Sequence, residues 1–230
     1  AVNAGLSAFA APLGMLEAGA NTFAGQIPLI MKVNSSNSLS REKGAPSQAI
    51  TGSVSEAIRL GCSAVGFTIY PGSDAALDMI TEIQEIALEA KDAGLAVVVW
   101  SYPRGGGISK DGETAIDIVS YAAHMAALVG AHIIKVKPPT SFIELNEAKK
   151  VYMSEKIPIE NLRDRIKHVV QSCFNGKRLV VFSGGSSRNK EDLLKEIKEL
   201  YLGGASGSIV GRNSFPVSYT HLTLPTNCVV

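Results

Sequence analysis

The chain has 230 residues, 46% of them apolar, and a mean hydropathy of +0.16, enough to bury a substantial core in one α/β domain. Its 22 basic and 21 acidic residues leave a net charge of +1, so no long-range field draws in a polyanion, nucleic acid is not the expected partner, and any anion must be held by a local site. The cysteines Cys62, Cys173 and Cys228 stand far apart in no metal-ligand spacing, which points to a reducing compartment, with Cys62 and Cys173 read as packing residues.

The N-terminal stretch is apolar but has no basic region before it. It is interrupted by Gly5, Gly14, Glu17 and Gly19, so it reads as neither a signal peptide nor a membrane span, and a cytosolic protein is expected. Ala1 falls in what reads as the end of a helix. Thereafter one pattern recurs in chain order: a helix-ending glycine followed at once by a short apolar run. It occurs in AGLSAFAAPL (4–13), LGCSAVGFTIY (60–70), AGLAVVVWSY (93–102), VGAHIIKVKP (129–138), NGKRLVVFSGG (175–185) and GGASGSIVGR (203–212). Each is a glycine C-cap followed by a buried parallel strand, and IPLIMKV (27–33) makes a seventh strand. The intervening segments have helical periodicity: Leu77, Ile80, Ile83, Ala87 and Ala90 in one, Leu193, Leu194, Ile197, Leu200 and Tyr201 in another. Helix starts are marked by a Ser53/Glu56 capping box, by Ser73, and by Asp111 ahead of 113–129. Strict alternation of strand and helix leaves a doubly wound sheet or a (β/α)₈ barrel. Seven strands with one missing at the front favour a TIM barrel, incomplete in its first strand and last helix.

In either architecture function sits at the C-terminal ends of the strands. By period-two alternation Val98, Trp100 and Tyr102 share one face of strand 95–102, and Ile133, Lys135 and Lys137 share one face of strand 131–137. Two lysines would be very costly under the outer helices, so both are expected to point into the barrel. A desolvated lysine beside a second cation has a lowered pKa and can attack a ketone as the free amine. The resulting imine is an electron sink for breaking a carbon–carbon bond. Tyr102 could carry the proton. A solvated rim lysine is the competing reading for Lys137.

Two glycine-rich turns, FSGGSS (182–187) and IVGRN (209–213), end consecutive strands and expose backbone N–H groups, with Arg212 adding a fork of donors. Together they suggest a phosphorylated substrate. His124 and His168 fall within helices, His132 on the outward strand face and His221 in the tail, so none reads as catalytic. With no metal-ligand cluster in the sequence, no cofactor is expected and a zinc-dependent aldolase is disfavoured.

WSYPRGGG (100–107), GAHIIKVKPP (130–139), FSGG (182–185) and IVGRNSF (209–215), in that order, resemble the archaeal-type, or DhnA-type, class I fructose-bisphosphate aldolases. PLIMKVN (28–34) and GFTIYPGS (66–73) fit as well, so the resemblance covers roughly residues 1–215, taken as the barrel domain. It implies reversible cleavage of fructose 1,6-bisphosphate to dihydroxyacetone phosphate and glyceraldehyde 3-phosphate by a homo-oligomeric lyase. Lys135 would be the Schiff-base lysine and Tyr102 the proton carrier. Trp100, Arg104 and Lys137 would line the pocket, with Ser183, Gly184, Gly185, Gly211 and Arg212 holding phosphate. The family carries an aspartate in a DHG motif on a first strand ahead of Ala1, so weak turnover is expected from residues 1–230 alone. The segment 216–230, PVSYTHLTLPTNCVV, has no helical period and resembles a translated sequencing adaptor, so it is set apart from the domain and expected to make no core contacts. Competing readings are a 2-amino-3,7-dideoxy-heptulosonate synthase-like transaldolase and a non-catalytic phosphate-binding barrel fragment.

Overall fold

The computed structural model describes residues 6–37, 39, 45–183, 190–209 and 228–229. In chain order these form β1 (Phe9–Pro12), α1 (Leu13–Ala18), α2 (Ala20–Phe23), β2 (Leu29–Lys32), β3 (Asn34–Ser35), β4 (Ala49–Ile50) and α3 (Val54–Arg59). There follow β5 (Ala64–Ile69), α4 (Ala76–Asp92), β6 (Ala96–Ser101), α5 (Ile116–Leu128), β7 (Ile133–Val136), α6 (Asn146–Ser154), α7 (Leu162–Ser172), β8 (Leu179–Ser183), α8 (Lys190–Leu202), β9 (Gly207–Ile209) and β10 (Cys228–Val229).

All seven expected strands form, and they lie parallel in the order β1-β2-β5-β6-β7-β8-β9. With helices between successive strands, the curled sheet is an incomplete TIM barrel. Five of the predicted helix-ending glycines, Gly61, Gly94, Gly130, Gly176 and Gly204, have φ between 65° and 92°, the left-handed conformation that ends a helix and releases the chain into the next strand. The sixth, Gly5, lies outside the described residues.

The apolar interior has two layers. Met31, Val65, Phe67, Val97, Val99, Ile134, Val136, Val180 and Phe182 point outward into the layer between sheet and helices. Ala10, Ile30, Ala64, Val98, Trp100, Val181 and Ile209 point inward and pack on one another inside the curl. This alternation fixes which side chains can reach a substrate.

Several local expectations shift. The Ser53/Glu56 capping box forms as expected. Ser73 instead caps the turn before α4, donating to the Pro46 carbonyl at 2.7 Å and accepting from the Ala75 N–H at 3.2 Å. Asp111 precedes a 3₁₀ turn at Gly112–Thr114, and α5 starts only at Ile116. On α4 the buried stripe is Met79, Ile83, Ala87 and Ala90, while Leu77 is exposed. On α8, which packs against α7, only Leu200 of the expected apolar face is buried among the described side chains; Leu194, Ile197 and Tyr201 are exposed.

Most of residues 216–230 lies outside the described residues. Its described part, β10, pairs antiparallel with β1 (Phe9↔Val229, Ala10↔Cys228), so those two residues join the sheet rather than standing off it. Among the described residues no helix is long and apolar enough to cross a membrane.

Candidate active site at the strand ends

The parallel register of β6 and β7 sets Trp100 beside Lys135, and alternation turns both into the barrel. Trp100 is 2% exposed and Lys135 5%. Its ammonium donates to the Tyr102 hydroxyl and sits 5.1 Å from the centre of that ring. A buried lysine touching a phenol inside an apolar barrel is the constellation the sequence pointed to.

Space for the indole comes from the next strand. Gly66 on β5 faces inward, and a Cβ there would lie 2.1 Å from Cζ3 of Trp100. The Trp100 N–H is buried with no hydrogen-bond partner among the described residues. It can donate to a polar group brought into the barrel.

Lys137 follows β7 on the same face as Lys135, and there the structure adds a partner that the sequence reading missed. Glu113 accepts from Lys137 at 3.3 Å and from Lys110 at 2.9 Å. Burial alone would push the Glu113 carboxyl up, but the Lys110 hydrogen bond and the Lys137 charge outweigh it and hold the group below the usual carboxylate range. Lys137 is thus held in an ion pair with Glu113. Glu113 carried no signal in the sequence because its partner lies 24 residues away on another element.

Arg104 lies on the rim. Its guanidinium carbon is 5.4 Å from the centre of the Tyr70 ring and 6.0 Å from that of Tyr102. Two backbone hydrogen bonds zip the loops after β5 and β6 together, from Tyr102 N–H to Ile69 O and from Arg104 N–H to Pro71 O, each 3.0 Å. Gly105 is pressed against Gly72: its φ is 137°, and a Cβ would lie 1.9 Å from the Gly72 oxygen. The first glycine of the GGG run is therefore the one that lets the two loops meet.

A second polar cluster, also unforeseen, closes the β2 side. Lys32, on the inner face at the end of β2, donates to the Asn34 carbonyl and to Gln48 Oε1 at 3.2 Å. Gln48 Nε2 donates to the Tyr70 hydroxyl at 2.6 Å. The Asn34 amide bonds both ways to the Thr68 backbone, each at 2.8 Å, tying β3 to β5.

Of the phosphate-site expectations, Ser183 ends β8, half-buried, in register with Ile209 of β9. Gly184, Gly185, Gly211 and Arg212 lie outside the described residues. Three histidines make structural hydrogen bonds: His124 bonds the Ser172 carbonyl at 2.7 Å, His168 the Tyr152 hydroxyl at 2.7 Å, and His132 accepts the Val97 N–H at 3.0 Å, while His221 lies outside the described residues. An open recess of about 370 Å³ lined by Asp192, Lys195, Glu196 and Glu199 lies on the α7–α8 surface, away from the lysines, and its acidic lining does not suit a phosphate ester.

Comparison with known proteins finds similarity to aldolases. The class 1 fructose-bisphosphate aldolase of Halobacterium salinarum is 36% identical over 208 residues, covering 90% of this chain and 69% of that protein. That of Thermoproteus tenax is 38% identical over 190 residues, covering 82% and 62%. The crystal structure of an archaeal fructose 1,6-bisphosphate aldolase superposes with a TM-score of 0.72 at 35% identity, over 89% of this chain and 69% of that one. A structure of an archaeal aldolase whose catalytic lysine is covalently bound to the carbinolamine intermediate gives the same TM-score and identity, over 89% and 70%. Residues 1–216 match the DeoC/LacD family aldolase, and the chain belongs to that family of lyases.

Proposed function

We propose that this chain carries the active centre of a class I fructose-bisphosphate aldolase, with Lys135 as the imine-forming residue. The observation that carries the reading is the buried Lys135 ammonium in contact with the Tyr102 hydroxyl at the C-terminal end of β7. The names of the aldolase relatives support fructose 1,6-bisphosphate as substrate over the transaldolase alternative.

As the free amine, Lys135 attacks the C2 carbonyl of the ketose phosphate, and loss of water gives a protonated imine. The C3–C4 bond then breaks, its electron pair passing into the enamine while the C4 hydroxyl proton passes to the deprotonated Tyr102 oxygen and glyceraldehyde 3-phosphate departs. Tyr102 returns a proton to C3, and water releases dihydroxyacetone phosphate. Trp100 walls the pocket and Arg104 and Lys137 stand at its rim as cations. Ser183, Gly184, Gly185, Gly211 and Arg212 are assigned to phosphate, as glycine turns after the last strands suit an anion. The homo-oligomeric state rests on the family resemblance, and cysteine usage supports a cytosolic location. Residues 1–215 are read as the aldolase domain, a boundary supported by the family match ending at residue 216.

Borohydride with dihydroxyacetone phosphate is expected to fix the adduct's mass on the peptide holding HIIKVK. Lys135→Arg should abolish labelling, because a guanidinium is not a nucleophile at neutral pH. Lys137→Arg should keep it, and Tyr102→Phe should still form the imine while cleaving roughly a hundredfold or more slowly. Chelator should leave labelling unchanged. Labelling that maps to Lys137, or an EDTA-sensitive reaction, would overturn the assignment.

A further inference from the structure

Lys135 and Tyr102 account for the imine and the proton, and Tyr102 sits on a loop just past the end of β6, its hydroxyl accepting from Lys135. Backbone zipping sets the height of that loop, through the Tyr102–Ile69 and Arg104–Pro71 hydrogen bonds. Two cations stand beside the ring, the Lys135 ammonium 5.1 Å and the Arg104 guanidinium carbon 6.0 Å from its centre. Arg104 is itself exposed, and a free arginine head would sample many rotamers. Here the guanidinium also lies 5.4 Å over Tyr70, within the reach of a cation–π contact. Tyr70 is 5% exposed, and its hydroxyl takes a 2.6 Å hydrogen bond from Gln48, itself 7% exposed. Gln48 is in turn held by Lys32. A buried, hydrogen-bonded pair thus stands behind an exposed cation, which stands beside the proton carrier.

Resting on the aldolase reading above, we propose that Tyr70 is a positioning residue: anchored through its hydroxyl to Gln48, its ring seats the Arg104 guanidinium against Tyr102 and so holds the Tyr102 oxygen in place for proton transfer at the imine. In the synthetic direction the C3–H bond of the Lys135–dihydroxyacetone phosphate iminium breaks. Its electron pair forms the C2–C3 double bond of the enamine, the C–N π pair settles on nitrogen, and the proton passes to the deprotonated Tyr102 oxygen. In D₂O the reverse step returns a deuteron to C3. Imine formation needs only Lys135, whereas exchange at C3 also needs Tyr102 correctly placed.

The two readouts are borohydride trapping and deuterium exchange at C3 of dihydroxyacetone phosphate, measured by mass spectrometry on the full chain. Tyr70→Leu removes the ring and should slow exchange about tenfold or more while trapping stays within about twofold, since a catalytic group displaced by about an ångström costs up to about a hundredfold. Tyr70→Phe keeps the ring and loses only the anchor, so exchange should fall about threefold. Gln48→Leu breaks the same hydrogen bond, and the double variant Tyr70→Phe/Gln48→Leu should be no slower than either single change. The two single anchor variants retain the test should Tyr70→Leu fail to fold. Wild-type exchange in all of them, or trapping and exchange falling together, would overturn the proposal. A wild-type chain that forms no imine would overturn the aldolase reading and this inference with it, whereas normal trapping with unchanged exchange sinks this inference alone.

Discussion

Trp100 is the only tryptophan of the chain, and it lies across the barrel interior because residue 66 has no side chain. Gly66→Ala would place a methyl 2.1 Å from the indole with Ile30 3.3 Å away on the other side, so the ring must move. The expected outcome is a loss of about 1–3 kcal/mol in stability, the range for overpacking a filled core. A change in intrinsic fluorescence should accompany it, reporting the displaced indole directly. Unchanged emission and an unchanged melt would show that the Gly66–Trp100 contact is not tight in solution. The same reasoning applies at the rim. Gly105→Ala meets both a backbone oxygen at 1.9 Å and a φ of 137°, so it should part the loops after β5 and β6 and lower turnover by at least about tenfold, measured as kcat.

At the scale of elements, α6 and α7 are stapled by Tyr152 and His168, whose side chains meet at 2.7 Å. Burial pushes the Tyr152 phenol up to about 12 and holds the His168 imidazole below its ordinary value. His132, under the β6–β7 pair, is held down by burial and then by the charges of Lys91 and Arg178. Both histidines are therefore favoured neutral when folded. An unfolded histidine titrates near 6.5, so the stability that these two contribute is complete above about pH 6.5 and is lost as pH falls toward their lower folded values. Melting temperature should decline from pH 7.5 to pH 5.5. His168→Gln, which keeps an acceptor for Tyr152 and cannot titrate, should flatten that decline. A slope identical to wild type would remove His168 as a contributor.

For the molecule as a whole, the curled sheet divides the chain into an outer apolar layer under the helices and an inner face that holds Trp100 and Lys135. Cys62 and Cys173 belong to the outer layer, and burial pushes both thiols up to about 11. At pH 8 their thiolate fractions are roughly a thousandth, so alkylation mapped to the two peptides should be about a hundredfold or more slower in the native protein than in denaturant. Fast native labelling of either would mean that the helical layer opens readily around it. The prediction also separates the two layers experimentally, since trapping at Lys135 should be untouched by the alkylating agent.

The sequence alone determined the seven parallel strands, the helix stops between them and the inward face of Lys135, because each is encoded in a local period. A buried parallel strand reads as an apolar run, a helix end as a glycine with positive φ, and alternation by two puts Lys135 on the face of Ile133 rather than that of Ile134. Local patterns misjudged what depends on neighbours. Leu77 and Leu194 carry an apolar period yet face solvent, while Met79, one step off the predicted stripe, is buried. Only the tertiary structure decided that Glu113 pairs with Lys137, that Gln48 and Tyr70 back Arg104, and that Gly66 makes room for Trp100. Each of these joins residues at least 22 positions apart through side-chain geometry, and such geometry is set by strand register and loop packing rather than by sequence spacing.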